Sequence, residues 1–210
     1  MAIKSGDFFS TEEKQCIEQA VREVEKTTRG EIVPMLAAAA GDYPRAEIIG
    51  GGCFALAIAA LFSWWWWEAS LWAFLPAFLL LYLPCKLLIS SFPALKRQFI
   101  SEAEMAAEVD DKAMIAFIQQ GLHHTREGTG ILILICLFEH RVEVLADRGI
   151  NALVPKETWQ EIVAIVTDGL RRGEACAALC AAIGRCGEIL ADKFPAGDDN
   201  PDELPNLIIE

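Results

Sequence analysis

Basic residues are scarce in this sequence. Eighteen lysines and arginines stand against 30 aspartates and glutamates, which gives a formal net charge of -12. Nucleic-acid binding needs cationic side chains that replace the counterions around phosphates, and adsorption to anionic lipid needs basic clusters. The charge balance therefore predicts that the chain has no nucleic-acid partner and no electrostatic surface anchor.

Bases are missing altogether from the end of the chain, where five acids follow one another closely. These acids are Asp198, Asp199, Asp202, Glu203 and Glu210. We interpret residues 196–210 as an acidic tail that is solvated and poorly ordered. Four apolar residues leave a docked segment as the alternative: Leu204, Leu207, Ile208 and Ile209.

Familiar catalytic and metal-binding motifs are also absent. Gly50-Gly51-Gly52 lacks the lysine and hydroxyl residue of a phosphate-binding loop, and no nucleophile elbow is present. The seven cysteines form no CxxC pair. Cys176 and Cys180 share a helix face, but zinc would need two more ligands at a recognisable spacing. We therefore predict ordinary buried thiols in a reducing compartment.

Charged residues are missing from two long runs, Ile48–Trp67 and Ala69–Cys85, which only Glu68 separates. A helix of about 20 residues matches the hydrocarbon thickness of a bilayer. We predict a transmembrane helical hairpin over residues 46–92, with its helices at 48–67 and 71–89. Indole rings favour the headgroup boundary, and lysines can extend to it. The predicted interface residues are Trp64, Trp65, Trp66, Trp67, Trp72 and Lys86.

Two other interpretations of this segment are a buried core hairpin and a re-entrant loop. The rest of the chain is too small to cover two helices that are apolar all round, which favours spanning. The turn has no base, whereas four bases flank the open end: Arg45, Lys86, Lys96 and Arg97. The positive-inside bias then predicts cytoplasmic termini and a cytoplasmic soluble domain. The absence of a signal-peptide pattern in residues 1–30 agrees with this expectation.

The remaining sequence predicts an α/β (α+β) fold, a small mixed β-sheet covered by helices. Residues 1–45 and 93–195 would form one domain, split by the hairpin. Ser10-Thr11-Glu12-Glu13 is a capping box that starts the first helix. Further elements are a strand at 31–39 with Pro34 at an edge or bulge, a helix at 94–122, strands at 131–138 and 142–146, and two helices from Pro155 to Arg171 and from Glu174 to Lys193.

Three acids on or beside the last predicted strand are candidate ligands for calcium or magnesium: Glu139, Glu143 and Asp147. Hard cations need several oxygens that converge on one point. The alternative is a solvated charged face on an edge strand. Arg126 and Arg141 could hold a phosphate or another anion, or form ordinary ion pairs. His123-His124 could bind a metal, although capping a helix end is the simpler role.

Several segments of the sequence together resemble the TPM domain family. The segment FFSTEEKQCIEQAVREVEKTTRGEIVPML is similar to the start of that domain, and GTGILILICLFEHRVEVLADRGI, residues 128–150, is similar to its core. The helix with Trp159, the glycine-linked last helix and the closing DELPN resemble the bacterial membrane-associated branch. In that branch a hydrophobic hairpin interrupts the domain. The resemblance covers nearly the whole chain.

The resemblance implies an α/β sandwich at the bacterial inner (plasma) membrane. It also implies one of the roles found among relatives: assembly or maintenance of membrane partners, acid phosphatase activity, or binding of divalent cations. Relatives carry paired aspartates at the strand turn and a GYG-like step after the second strand. This sequence departs from both patterns, with Glu139-His140 at the turn and Asp147-Arg148-Gly149 at the step.

Two functional hypotheses follow. The first is a non-catalytic TPM-like protein, anchored in the bilayer, that binds or helps to assemble a membrane-protein partner. The alternative is a divalent-metal-dependent phosphatase that uses the region of Glu139, Glu143 and Asp147. No motif in the sequence requires a cofactor, and a calcium or magnesium ion is the one that the second hypothesis would need.

Overall fold

The structure, a computed structural model, describes residues 5–66, 71–125, 128–196 and 204–210. It divides these residues into two compact units. One unit is built from Gly41–Met105, and the other from residues 5–40 together with Ala106–Glu210. The elements, in chain order, are α1 (Thr11–Glu25), β1 (Glu31–Ala37), α2 (Pro44–Trp66), α3 (Leu71–Ser91), α4 (Pro93–Arg97), α5 (Glu102–Gln119), β2 (Gly130–Cys136), β3 (Arg141–Ala146), α6 (Arg148–Asn151), α7 (Lys156–Arg172), α8 (Ala175–Lys193) and β4 (Ile208–Ile209).

The larger unit is built on a four-stranded sheet with the order β3-β2-β1-β4. β1 runs parallel to both β2 and β4, whereas β2 and β3 form an antiparallel hairpin. The predicted mixed β-sheet is therefore confirmed. His140 turns the hairpin with a φ of 54°, in the left-handed region that non-glycine residues seldom adopt.

Two cores lie on opposite faces of this sheet, because successive strand residues point to opposite sides. Ile131, Ile133 and Ile135 of β2 pack into one core with α1, α7 and α8. Leu132 and Leu134 pack into the other core with α5. This arrangement explains the continuous apolar run of β2, since a strand covered on both faces has no polar side.

Pro34 lies in a strand with neighbours on both sides, so β1 is not an edge strand over its whole length. The backbone groups of Leu36 and Ala38 form hydrogen bonds with the backbone of Glu210. The backbone N–H and C=O groups of even-numbered residues in β1 therefore point towards β4. Pro34 faces the same side, but the pairing with β4 reaches only Met35 and Leu36. The missing N–H of Pro34 thus falls where no strand among the described residues pairs with β1 on that side.

The long helix predicted over residues 94–122 is wrong, because the chain forms α4 and α5 with a break between them. Ser101 causes the restart, since its hydroxyl accepts a hydrogen bond from the backbone N–H of Glu104 (3.1 Å). Its carbonyl also accepts from Met105. A serine in this position caps the first turn of a helix.

The prediction of a poorly ordered tail is wrong for residues 204–210, which dock on the larger unit. Ile208 and Ile209 pair with β1, and Lys112 forms an ion pair with Glu210 (2.5 Å). Asn206, with its amide oriented to satisfy both atoms, donates to Glu25 and accepts from Arg22, each at 3.2 Å. The apolar residues of the segment, rather than its acids, decide its structure.

The smaller unit contains a pair of apolar helices that pack through small side chains. The buried residues of α2 are Ala46, Gly50, Gly51, Ala55, Ala59 and Ser63. A Cβ on Gly51 would lie only 2.8 Å from the Cα of Lys86 in α3. The large side chains point outward instead: Leu61 is 71% exposed and Leu80 is 78% exposed.

Candidate functional site

Glu139 lies in the turn between β2 and β3 and is almost fully buried. Its carboxylate accepts a hydrogen bond from the backbone N–H of Ala40, just beyond β1 (2.9 Å). Two further backbone hydrogen bonds stabilise the same edge of the sheet. The N–H of Leu137 donates to the carbonyl of Ala37, and the N–H of Phe138 donates to the carbonyl of Ala38. Glu139 therefore ties together the carboxyl ends of the two parallel strands, the edge at which open α/β sheets commonly bind ligands.

Glu143 lies in the middle of β3 and is half-buried. Burial raises the pKa of its carboxyl above the ordinary value, the nearby charge of Asp110 on α5 raises it further, and Arg141 opposes the rise. Two carboxylates that repel one another across a gap favour either a proton or a cation between them. The charges of Glu143 and Asp110 therefore interact, whereas a cation site needs several oxygens that converge on one point.

Asp147 has a different role, because its carboxylate caps α6 by accepting from the backbone N–H of Arg148 (2.6 Å). Four residues of a strand span about 13 Å, so Glu139, Glu143 and Asp147 are spread along β3. Their oxygens do not form a cluster of the size that one ion requires, in the part of the chain that the structure describes. Metal binding by these three residues stays a prediction.

The predicted anion pair is described only in part. Arg141 begins β3 opposite Cys136 and is partly buried, while Arg126 lies outside the described residues. His123 and His124 form part of a short 3-10 helix after α5, with ring centroids 3.8 Å apart. Phosphate binding by Arg126 and Arg141 therefore also stays a prediction.

The predicted interface residues lie near the two ends of the helical pair. Trp64, Trp65 and Trp72 are exposed to 76%, 83% and 88%, near the end where α2 stops and α3 begins. Lys86 lies beside Gly51, towards the other end of the pair. The side chain of Trp66 and all of Trp67 lie outside the described part of the structure.

A cluster of three thiols is the site that the sequence did not reveal. Cys16 on α1 lies 3.9 Å, sulfur to sulfur, from Cys180 on α8. Cys176, one turn before Cys180, donates to the carbonyl of Glu13 (3.7 Å). All three sulfur atoms lie within 4.8 Å of one another. The four-residue spacing of Cys176 and Cys180 was the available signal, but Cys16 comes from the other end of the chain.

Comparison with known proteins agrees with this architecture. Residues 96–189 match the TPM domain. This part of the chain belongs to the TPM domain family. The match includes β2, the turn with Glu139 and β3, which lie in the core segment named from sequence, residues 128–150. It also includes the helices α5, α6 and α7.

The TPM fold also has a solved structural neighbour. It is the NMR structure of the BA42 protein from the psychrophilic bacterium Bizionia argentinensis, with a TM-score of 0.61 and 22% sequence identity. The likeness covers 97% of this chain and 95% of BA42, and at this identity it concerns the fold alone. No curated protein sequence matches the chain.

Proposed function

We propose that this protein is a membrane-anchored TPM domain protein with a non-catalytic role, which binds a membrane-protein partner and assists its assembly or maintenance. The observation that carries the proposal is the inverted packing of α2 and α3. Small residues of α2 are buried while most leucines and isoleucines of the two helices are exposed, with Ile89 as a buried exception.

This packing is what a bilayer favours and water opposes. Between membrane helices, close approach depends on small residues such as Gly, Ala and Ser, because lipid already solvates the large ones. The two helices are long and apolar enough to cross a membrane, over Pro44–Trp65 and Phe74–Ser91. Only 33% and 11% of these windows are buried, whereas the helices of a soluble core are mostly buried.

The orientation that we propose places the open end of the hairpin in the cytoplasm, at the inner (plasma) membrane. Lys96 supports the folding of this end, because it contacts Glu47 at 2.7 Å and the carbonyl of Asp42 at 2.5 Å. Arg97 lies 3.9 Å from Glu102. Arg45, Lys96 and Arg97 lie at or beyond the helix ends at the open end of the pair, and Lys86 lies within α3 towards that end. The positive-inside bias assigns this side to the cytoplasm.

The surface that we assign to the partner lies on α5. Met114, Ile115 and Ile118 are each more than half exposed, and their spacing places them on one side of the helix. The opposite side of α5 packs on the sheet through Val109, Ala113 and Ala116. Because α5 also exposes apolar side chains on the side away from the sheet, we assign this exposed side to contact with another protein.

Anchoring is tested by extracting membranes with alkaline carbonate. The full chain should remain in the membrane pellet, and the chain without residues 46–92 should move to the supernatant. Release of the full chain by carbonate would contradict the anchor. Labelling of intact cells tests orientation: a cysteine at Ser70 should react with an impermeant maleimide, and a cysteine at the exposed Lys156 should react only after permeabilisation.

Partner binding is tested by crosslinking in membranes followed by reciprocal capture of each identified protein. The double variant Ile115→Glu/Ile118→Glu should lose the crosslinked partner while retaining its circular dichroism spectrum. Leu153→Glu is the matched control, because Leu153 is equally exposed but lies beyond α6. A partner that survives the double variant and is lost in the control would refute the surface on α5.

The phosphatase is the second candidate, and the electrostatic influence of Asp110 on the half-buried Glu143 is the observation in its favour. The full chain should be assayed in detergent with a generic phosphate ester, with and without calcium or magnesium. The non-catalytic proposal expects no metal-dependent turnover. Turnover that disappears in both Glu143→Gln and Asp110→Asn would overturn it in favour of the phosphatase.

A further inference from the structure

The three clustered cysteines come from two helices at opposite ends of the sequence. Cys16 lies in the middle of α1, and Cys176 and Cys180 occupy successive turns of α8. A disulfide framework would pair thiols two by two, whereas this arrangement directs three sulfur atoms to one volume. Three sulfur atoms grouped in this way can bind the same metal ion.

The spacing of the sulfur atoms fits one metal ion. Zinc binds thiolates at about 2.3 Å, so two sulfurs on a tetrahedral ion lie about 3.8 Å apart. Cys16 and Cys180 are 3.9 Å apart, and the third sulfur lies within 4.8 Å of both. Side-chain rotations that shorten the longest sulfur-to-sulfur distance by about 1 Å or less would bring all three to coordinating distance.

The scaffold around the cluster holds the two helices at a fixed separation. Gly187 of α8 packs directly on Val24 of α1, since a Cβ there would lie 2.7 Å from the valine methyl. The capping box of Ser10 and Glu13 fixes the start of α1. Ligands on rigid helices keep their geometry better than ligands on loops.

We propose that Cys16, Cys176 and Cys180 form a three-thiolate site for a thiophilic metal ion of the zinc class, with an open fourth coordination position. No histidine or carboxylate joins the three sulfurs within the residues that the structure describes. Because Cys16 is exposed, a water molecule or a small external thiol can reach the fourth position.

Protonation competes with the metal at this site. Burial, together with the neighbouring Cys176 and Cys16 sulfurs, raises the pKa of Cys180 to about 12. Burial likewise raises the pKa of Cys176, with Cys16 and Glu13 adding to the rise. Each thiol that becomes a ligand releases a proton to solvent, so three protons leave for one divalent ion and the loaded site carries one net negative charge. Affinity should therefore rise with pH over the range in which the protein remains folded.

The test uses the full chain in detergent, reduced and then freed of reductant and metal. Titration with cobalt(II) should produce a sulfur-to-metal charge-transfer band that saturates at one cobalt ion per chain. Adding zinc should displace the cobalt and remove the band. Cys16→Ser and Cys180→Ser should each weaken binding by at least the ~10- to 100-fold typical of a damaged metal site. Cys53→Ser is the control, because Cys53 is exposed but lies in the smaller unit.

Three results would overturn the proposal. One is the absence of the charge-transfer band in a chain whose circular dichroism spectrum shows it folded. Another is unchanged affinity in Cys16→Ser and Cys180→Ser. The third is a Cys16–Cys180 disulfide that forms equally fast with and without zinc, which would make the cluster a redox pair instead.

Discussion

Gly169 determines how closely α7 and α8 approach. A Cβ at this position would lie 2.0 Å from the Cβ of Ala178. Gly169→Ala should therefore lower the free energy of unfolding by about 1–3 kcal/mol, the usual cost of overpacking. Gly184→Ala is the matched control, since Gly184 is also helical and nothing lies within 4 Å of its added Cβ. The control should gain ~0.5–1 kcal/mol from helix propensity, and both are measured by denaturant unfolding.

Glu143 gives a second prediction for a single residue. Its raised pKa means that the folded state prefers the protonated carboxyl, so this preference stabilises the fold at acidic pH and is lost as pH rises through the folded pKa. Glu143→Gln should then be more stable than the parent at pH 7, with the difference shrinking towards pH 4. Melting curves at several pH values measure it. A destabilised Glu143→Gln at pH 7 would show that the carboxylate is needed ionised, as a cation site would require.

The contact between helices α2 and α3 leads to a prediction at the scale of elements. Gly51→Leu should separate α2 from α3, because even a Cβ there approaches the backbone of Lys86 to 2.8 Å. The adjacent Gly52→Leu should be tolerated, since nothing lies within 4 Å of its added Cβ. Thermal unfolding in detergent micelles should show a lowered midpoint for the first variant only. Equal effects of the two leucines would mean that the small residues do not form the contact.

The short strand β4 can be tested by truncation before Leu204. The backbone N–H of Ala38 donates to Glu210, and the carbonyl of Leu36 accepts from it. Without β4, hydrogen exchange at Ala38 should accelerate and the open edge of β1 should promote aggregation. Glu210→Gln provides the control, because it removes the ion pair with Lys112 but keeps the strand. Unchanged exchange at Ala38 in the truncated chain would contradict the pairing.

Local signals in the sequence predict most of the helices and strands but not all their boundaries. The capping box at Ser10 and the glycine at position 173, which ends α7 with a φ of 75°, act through neighbours in the chain. Ser101 was missed because the apolar pattern continues across it, although its hydroxyl accepts a hydrogen bond from the first turn of α5. The docking of β4 was missed because it depends on the exposed edge of β1, far away in sequence.

The candidate sites follow the same division between local and distant information. The row of acids on β3 can be read from sequence, yet only the structure separates the cap at Asp147 from the buried Glu139 and from Glu143 beside Asp110. Cys16 could not be joined to Cys176 and Cys180 because the packing of α1 on α8 is a long-range event. The conservation of a residue between homologues could have revealed that link, whereas its spacing in one sequence does not.

At the scale of the whole molecule, buried thiols should make the fold sensitive to alkali. Burial raises the pKa of Cys136 and Cys186 from 9.0 to about 12. A raised folded pKa contributes stability below pH 9 that is lost as pH climbs towards 12. Unfolding free energies measured across this range should fall, and they should fall less steeply in Cys186→Ala. Parallel curves for the two proteins would contradict the assignment.

The order of the strands in the sheet also has a consequence during synthesis. β1 leaves the ribosome early, but its partner β2 begins about 90 residues after it ends, at Gly130, and β4 comes later still. At a translation rate of ~5–20 residues per second, roughly 5–20 s pass between the synthesis of the apolar β1 and that of β2, the first strand that can pair with it. A nascent chain stalled before Gly130 should therefore bind holding chaperones through β1 and release them when translation resumes.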